Sequence, residues 1–158
     1  MVFMKLAEAL ALRGDAVQRT EQLRARIAAS ARYQEGEAPA EDAAALLVEV
    51  DEVFGELESL IRRINRTNAA TAVPGMGTLT DALARRDVLR LRHSLVTSAA
   101  NAAVGEGQRG YRQLRSELKV IPALPVVELR RQADVLARQL REVDMLIQRT
   151  NWEAELLE

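Results

Sequence analysis

Polar residues collect where the helices of this chain should end. Asn65, Arg66, Thr67 and Asn68 close one apolar-periodic segment, and Asp81, Arg85, Arg86 and Asp87 open the next. Ser116, Glu117 and Lys119 follow a glycine cluster, and Asn151 stands beside Trp152 near the end. Arginine forks pair with carboxylates and phosphates in a bidentate way, and side-chain amides both donate and accept. Asn65, Arg66, Asn68, Asp81, Arg86, Asp87, Glu117, Lys119 and Asn151 can therefore line a pocket for a small anionic or amide-bearing ligand. The same residue types also serve as helix caps and ion pairs that fix loops, and each residue taken singly fits that role. Lys119 is distinctive, because Lys5 and Lys119 are the only lysines among the 22 basic residues. Its compact ammonium offers three donors that a planar guanidinium does not copy. Its expected partner is Asp81, Asp87 or a bound anion.

Other chemistries fall away on composition and spacing. The chain has no cysteine, so disulfides, thiolate metal sites and cysteine nucleophiles are excluded. His93 is the only histidine, with Arg90 where a Glu-x-x-His di-metal site needs glutamate. Glu49, Glu52 and Glu56 share a helix face, but without the spacing of an all-α pyrophosphatase they read as a solvated acidic face. Glu35, Glu37, Glu41 and Asp42 lack the ligand spacing of a calcium loop. No nucleophile elbow, phosphate loop or dinucleotide fingerprint occurs. The expectation is a protein with no cofactor and no metal, and the balance favours a non-enzyme. With 22 basic and 23 acidic residues and a net charge of -1, a nucleic-acid partner is not expected.

The elements that position these residues are delimited by glycine and proline. Breaks fall at Glu35–Pro39, Val73–Gly77, Gly105–Gly110 and Pro122–Pro125. The intervening stretches are rich in Ala, Leu, Arg and Glu, all strong helix formers. Helices are predicted over 5–33, 42–72, 79–103 and 126–155. Leu46, Val50, Val53, Leu57, Leu60 and Ile64 form a heptad seam, widened by Leu47, Phe54 and Ile61. Leu129, Ala133, Leu136, Leu140, Val143 and Ile147 repeat it. The third helix opens on the capping signature Thr78-Leu-Thr-Asp81 and carries Leu83, Leu91, Leu95 and Ala99. Asp42 is the predicted N-cap of the second. Residues 109–121 fit either a short helix or an extended stretch, with Pro122 favouring the latter. The fold expected is all-α: one domain over 1–158, an antiparallel bundle of four long helices with a partly extended segment before the last. Ile64-Asn-Arg-Thr-Asn68 and Ile147-Gln-Arg-Thr-Asn151 match at an offset of 83 residues (147 − 64), as a duplicated helical hairpin would produce; two heptad helices can also match by chance.

Several segments together carry a family resemblance. These are Met4-Lys-Leu-Ala-Glu-Ala-Leu10, Glu35-Gly-Glu-x-Pro-x-Glu41, Ile64–Asn68, Leu79-Thr-Asp-Ala-Leu-Ala-x-Arg-Asp87, Ser116-Glu-Leu-Lys119 and Asn151-Trp152. The chain resembles the septicolysin-like family of small bacterial proteins over nearly its whole length. The resemblance implies an all-helical cytosolic protein and supplies no mechanism. The chain departs from the family pattern at Ala123-Leu124-Pro125, where a polar cap is expected before the last helix. Either Met1 or Met4 can be the native start.

No stretch has the unbroken apolar run of an export signal or a membrane span. The expectation is a cytoplasmic protein without a membrane partner. Its wide apolar faces point to a self-associating scaffold or binding module, a homo-oligomer. The alternative is a small-ligand protein or enzyme that uses the polar helix-end set.

Overall fold

The structure is a computed structural model and describes residues 3–105 and 119–158. The chain is all-α. Its helices are α1 (Leu6–Ser30), α2 (Ala43–Ala70), α3 (Leu79–Ala103) and α4 (Val126–Glu153), with a short ladder of β1 (Ala72–Val73) and β2 (Gly77–Thr78) between α2 and α3. Each helix lies within three residues of its predicted bounds, because caps and breakers fix the ends. Asp42 accepts from the Ala44 and Ala45 N–H groups at 2.9 and 3.2 Å. Thr78 and Asp81 close a capping box: the Thr78 N–H reaches the Asp81 carboxylate at 2.8 Å, and the Asp81 N–H reaches the Thr78 hydroxyl at 3.3 Å. Glu8 likewise reaches back to the Lys5 N–H at 2.7 Å at the start of α1. Of the ambiguous stretch 109–121, residues 109–118 lie outside the described residues, and 119–121 carry no regular structure.

The chain divides into two compact units, Met1–Ala72 with Gln148–Glu158, and Val73–Ile147. In the first, α1 and α2 run antiparallel, since Arg19 pairs with Glu49 at 2.9 Å while Arg26 pairs with Glu41. Leu23, Leu46 and Val53 form a buried cluster, with Ala16, Ile27 and Val50 packed against it. The α2 seam therefore faces inward as its heptad requires. Its second stripe does not: Leu47, Phe54 and Ile61 are exposed, so the buried face is narrower than the sequence suggests. In the second unit, α3 and the adjoining part of α4 also run antiparallel, with Arg90 facing Asp144 at 3.6 Å and Arg130 reaching Asn101 at 3.5 Å.

The two helix pairs share features, α1 with α3 at an offset of 73 residues (79 − 6) and α2 with α4 at 83 (147 − 64). α1 and α3 each have 25 residues, and α2 and α4 each have 28. Leu6 and Ala9 of α1 are buried, as are Leu79 and Ala82 of α3. Ile64 and Thr67 are buried, as are Ile147 and Thr150. An extended residue after α2 pairs with one before α3 in the short ladder. Glu155, after α4, pairs with Lys5, before α1, in an antiparallel bridge. Ala72 and Glu155 are separated by the same 83 residues as Ile64 and Ile147.

The turn of the ladder depends on two left-handed glycines, Gly75 (φ 75°) and Gly77 (φ 86°). A Cβ at Gly75 would meet open space, whereas one at Gly77 would stand 2.5 Å from the Asp81 carboxylate. Gly75→Ala is expected to cost about 1 kcal/mol, the penalty for a side chain in this region. Gly77→Ala should cost more, since it also pushes Asp81 off the Thr78 N–H. Urea unfolding of the two variants side by side checks the order.

Candidate functional site

The first unit holds four of the candidate residues. Asn65 is exposed and Asn68 half-buried on the last turns of α2, and Asn151 of α4 is buried at 8% exposure. Arg66 donates through Nη1 to the main-chain oxygen of Glu158 at 2.8 Å. Its neighbourhood is built by the C-terminal tail, which the sequence patterns do not reveal. Leu156 is buried and its N–H reaches the Met4 carbonyl at 2.8 Å, while the Leu6 N–H reaches the Ala154 carbonyl at 3.0 Å. Lys5 donates to the Glu153 carbonyl at 3.2 Å and stands 3.5 Å from the Glu155 carboxylate. The Leu157 N–H donates to the Thr67 hydroxyl at 3.0 Å, and that hydroxyl donates to the Arg63 carbonyl at 2.8 Å. Arg63 Nε reaches the Leu157 carbonyl at 3.1 Å. The tail is thus strapped along α2, and beside it opens a cleft of about 370 Å³ lined by Ser59, Arg62, Arg63, Arg66 and Glu158. Of these residues only Arg66 belongs to the sequence-based set. The spacing of Arg62, Arg63 and Arg66 on one flank of a helix was the available signal for the others.

The second unit holds Asp81, Arg86, Asp87 and Lys119. Asp81 is engaged by the capping box, and hydrogen bonds from the Thr78 backbone and hydroxyl hold its carboxyl below the usual range. Arg86 is half-buried and bonds the adjacent Asp87 carboxylate at 3.2 Å. Lys119 is exposed and, among the described residues, forms no ion pair with Asp81 or Asp87. Those carboxylates are occupied by Thr78 and Arg86, so the expected lysine pairing is not present. Glu117 lies outside the described residues. His93 is half-buried on α3 and lines a cleft of about 560 Å³ with Ser94, Thr97, Ser98, Asn101 and Ala102. Among the described residues, no group of three or more His, Asp or Glu is placed to hold a metal ion, and no helix is long and apolar enough to cross a membrane.

α3 also carries two apolar seams. Leu79, Ala82, Leu89 and Ala100 are buried. Ala84, Val88, Leu91, Leu95, Ser98 and Ala102 form a second seam with steps of four and three. Its large members are exposed, Leu91 and Leu95 at 71% each. The leucines that stand out in the α3 sequence therefore point away from its core.

The chain is similar to a crystal structure described as that of a functionally unknown conserved protein from Corynebacterium diphtheriae, with 38% identity and a TM-score of 0.91. The likeness covers 99% of this chain and 100% of that one. No curated protein matches. Residues 13–156 match the pattern of DUF6847, a family of unknown function, and the chain belongs to that family.

Proposed function

We propose that this is a cytosolic, non-enzymatic helical module that self-associates through the outer seam of α3. The observation that carries the reading is the exposed heptad of Val88, Leu91 and Leu95 on a helix that already buries a separate face. In heptad terms Val88 and Leu95 occupy a, and Ala84 and Leu91 occupy d. A β-branched residue at a with leucine at d favours two parallel strands. Asp87 then falls at g and Arg92 at e of the next heptad, opposite charges that meet across a parallel dimer. The seam is self-complementary, which is what a two-fold interface between identical chains requires. The septicolysin-like resemblance, carried in part by Ile64–Asn68 and Leu79–Asp87, fits this all-helical reading.

Sedimentation equilibrium at micromolar concentration tests it. Leu91→Glu with Leu95→Glu should convert a dimer to a monomer of unchanged helicity, since both side chains already face water within one chain. Asp87→Arg alone should weaken the dimer at least about tenfold, within the range of close charge pairs at interfaces. Adding Arg92→Asp should restore it. A wild-type chain that stays monomeric, or a dimer indifferent to both leucines, would refute the reading.

A further inference from the structure

We infer that the cleft of Ser59, Arg62, Arg63 and Arg66 binds the phosphate group of a phosphomonoester. Arg62 and Arg66 are exposed and Arg63 half-buried on one flank of α2. Among the described residues, no Asp or Glu side chain lies within ion-pair distance of any of the three, although other arginines of this chain find one. Among the described residues, the only acidic side chain lining the cleft is that of Glu158, so three guanidinium groups face a single side-chain carboxylate. The helix dipole does not account for them, because its effect is confined to the last turn, and the last turn of α2 has no basic residue.

The tail makes the cluster more than a charged patch. Arg63 spends one donor on the Leu157 carbonyl and Arg66 one on the main-chain oxygen of Glu158. The Leu157 acceptor is a neutral amide carbonyl, so it orients the Arg63 guanidinium without cancelling its charge. Each arginine has five N–H donors, which leaves most of each fork available. A carboxylate engages a single fork. A phosphomonoester carries a charge of about −1.5 to −2 at pH 7 with three acceptor oxygens, which matches several forks and the Ser59 hydroxyl together. This site is independent of the α3 seam, so either can fail without the other.

The test uses the full chain and titrates inorganic phosphate and glycerol phosphate by calorimetry at constant ionic strength, with chloride as the control. In parallel, it measures co-sedimentation with phosphatidic acid vesicles against zwitterionic ones. Saturable binding of soluble phosphates assigns a free ligand, and binding confined to phosphatidic acid assigns a lipid headgroup of the same chemistry. Arg62→Gln, which touches no tail carbonyl, should weaken binding at least about tenfold with an unchanged melting temperature. Arg62→Lys, which keeps the charge and loses the fork, should weaken it by less. Absence of saturable binding to every phosphate probe overturns the inference, as does binding that Arg62→Gln and Ser59→Ala leave unchanged.

Discussion

Leu23→Ala is expected to lower the unfolding free energy by about 3 kcal/mol, with Leu47→Ala changing it by less than about 0.5 kcal/mol. Both remove the same atoms from a leucine in the α1–α2 pair. Leu23 is 1% exposed and closes a cluster with Leu46 and Val53, where a deleted isopropyl group leaves a cavity that rigid helices cannot collapse. Leu47 is 55% exposed beside that seam, so truncation there mainly removes surface already in water. Urea denaturation followed by far-ultraviolet circular dichroism gives both values. Equal losses would mean that the Leu47, Phe54 and Ile61 stripe is covered in solution.

That contrast marks how far the fold was legible in the sequence. The helix positions were readable because their ends are set by local chemistry: Asp42, Thr78 with Asp81, and the glycines and prolines between helices. The heptad of α2 also marked its buried seam, through Leu46, Val53 and Ile64. In α3 the same reasoning favoured the wrong residues. Hydropathy ranks Leu91 and Leu95 above Ala82 and Ala100, yet the alanines are buried and the leucines exposed. Periodicity reports that an apolar stripe exists, and α3 has two. Which one meets the core of its own chain depends on its neighbours.

The candidate site was legible only in part, for a related reason. Asp81 and Arg86 were noticed for their residue type and position, but a capping box and an adjacent carboxylate account for the bonds they make. Arg66 is the sequence-based candidate with a cleft beside it. What orients Arg66 is a main-chain oxygen 92 residues away. Residues 154–158 have no periodic pattern, so nothing in the linear sequence ties them to α2. The hydrogen bonds of Thr67 and the burial of Leu156 do that in three dimensions.

Thr67→Val is the sharpest test of how the tail is held, with an expected loss of about 1–2 kcal/mol. Valine keeps the shape of threonine, so the fully buried site stays filled while the hydroxyl disappears. The Leu157 N–H then loses its acceptor, and an N–H left without one costs about 1–3 kcal/mol when buried. The lower part of that range applies, since Leu157 is 45% exposed and water can reach the freed group. The lost bond to the Arg63 carbonyl adds little, because that carbonyl can keep its partner within the helix. Thr67→Ser supplies the contrast: it retains the hydroxyl and gives up one buried methyl, worth about 0.8 kcal/mol. The decisive readout is amide exchange at Leu156 and Leu157. Exchange should accelerate in the valine variant and stay slow in the serine variant, because only the former releases the strap that orients Arg63 and Arg66. If both variants protect these amides equally, the tail is held instead by the Met4–Leu156 bond and the Lys5–Glu155 bridge, and Lys5→Met becomes the substitution that frees it.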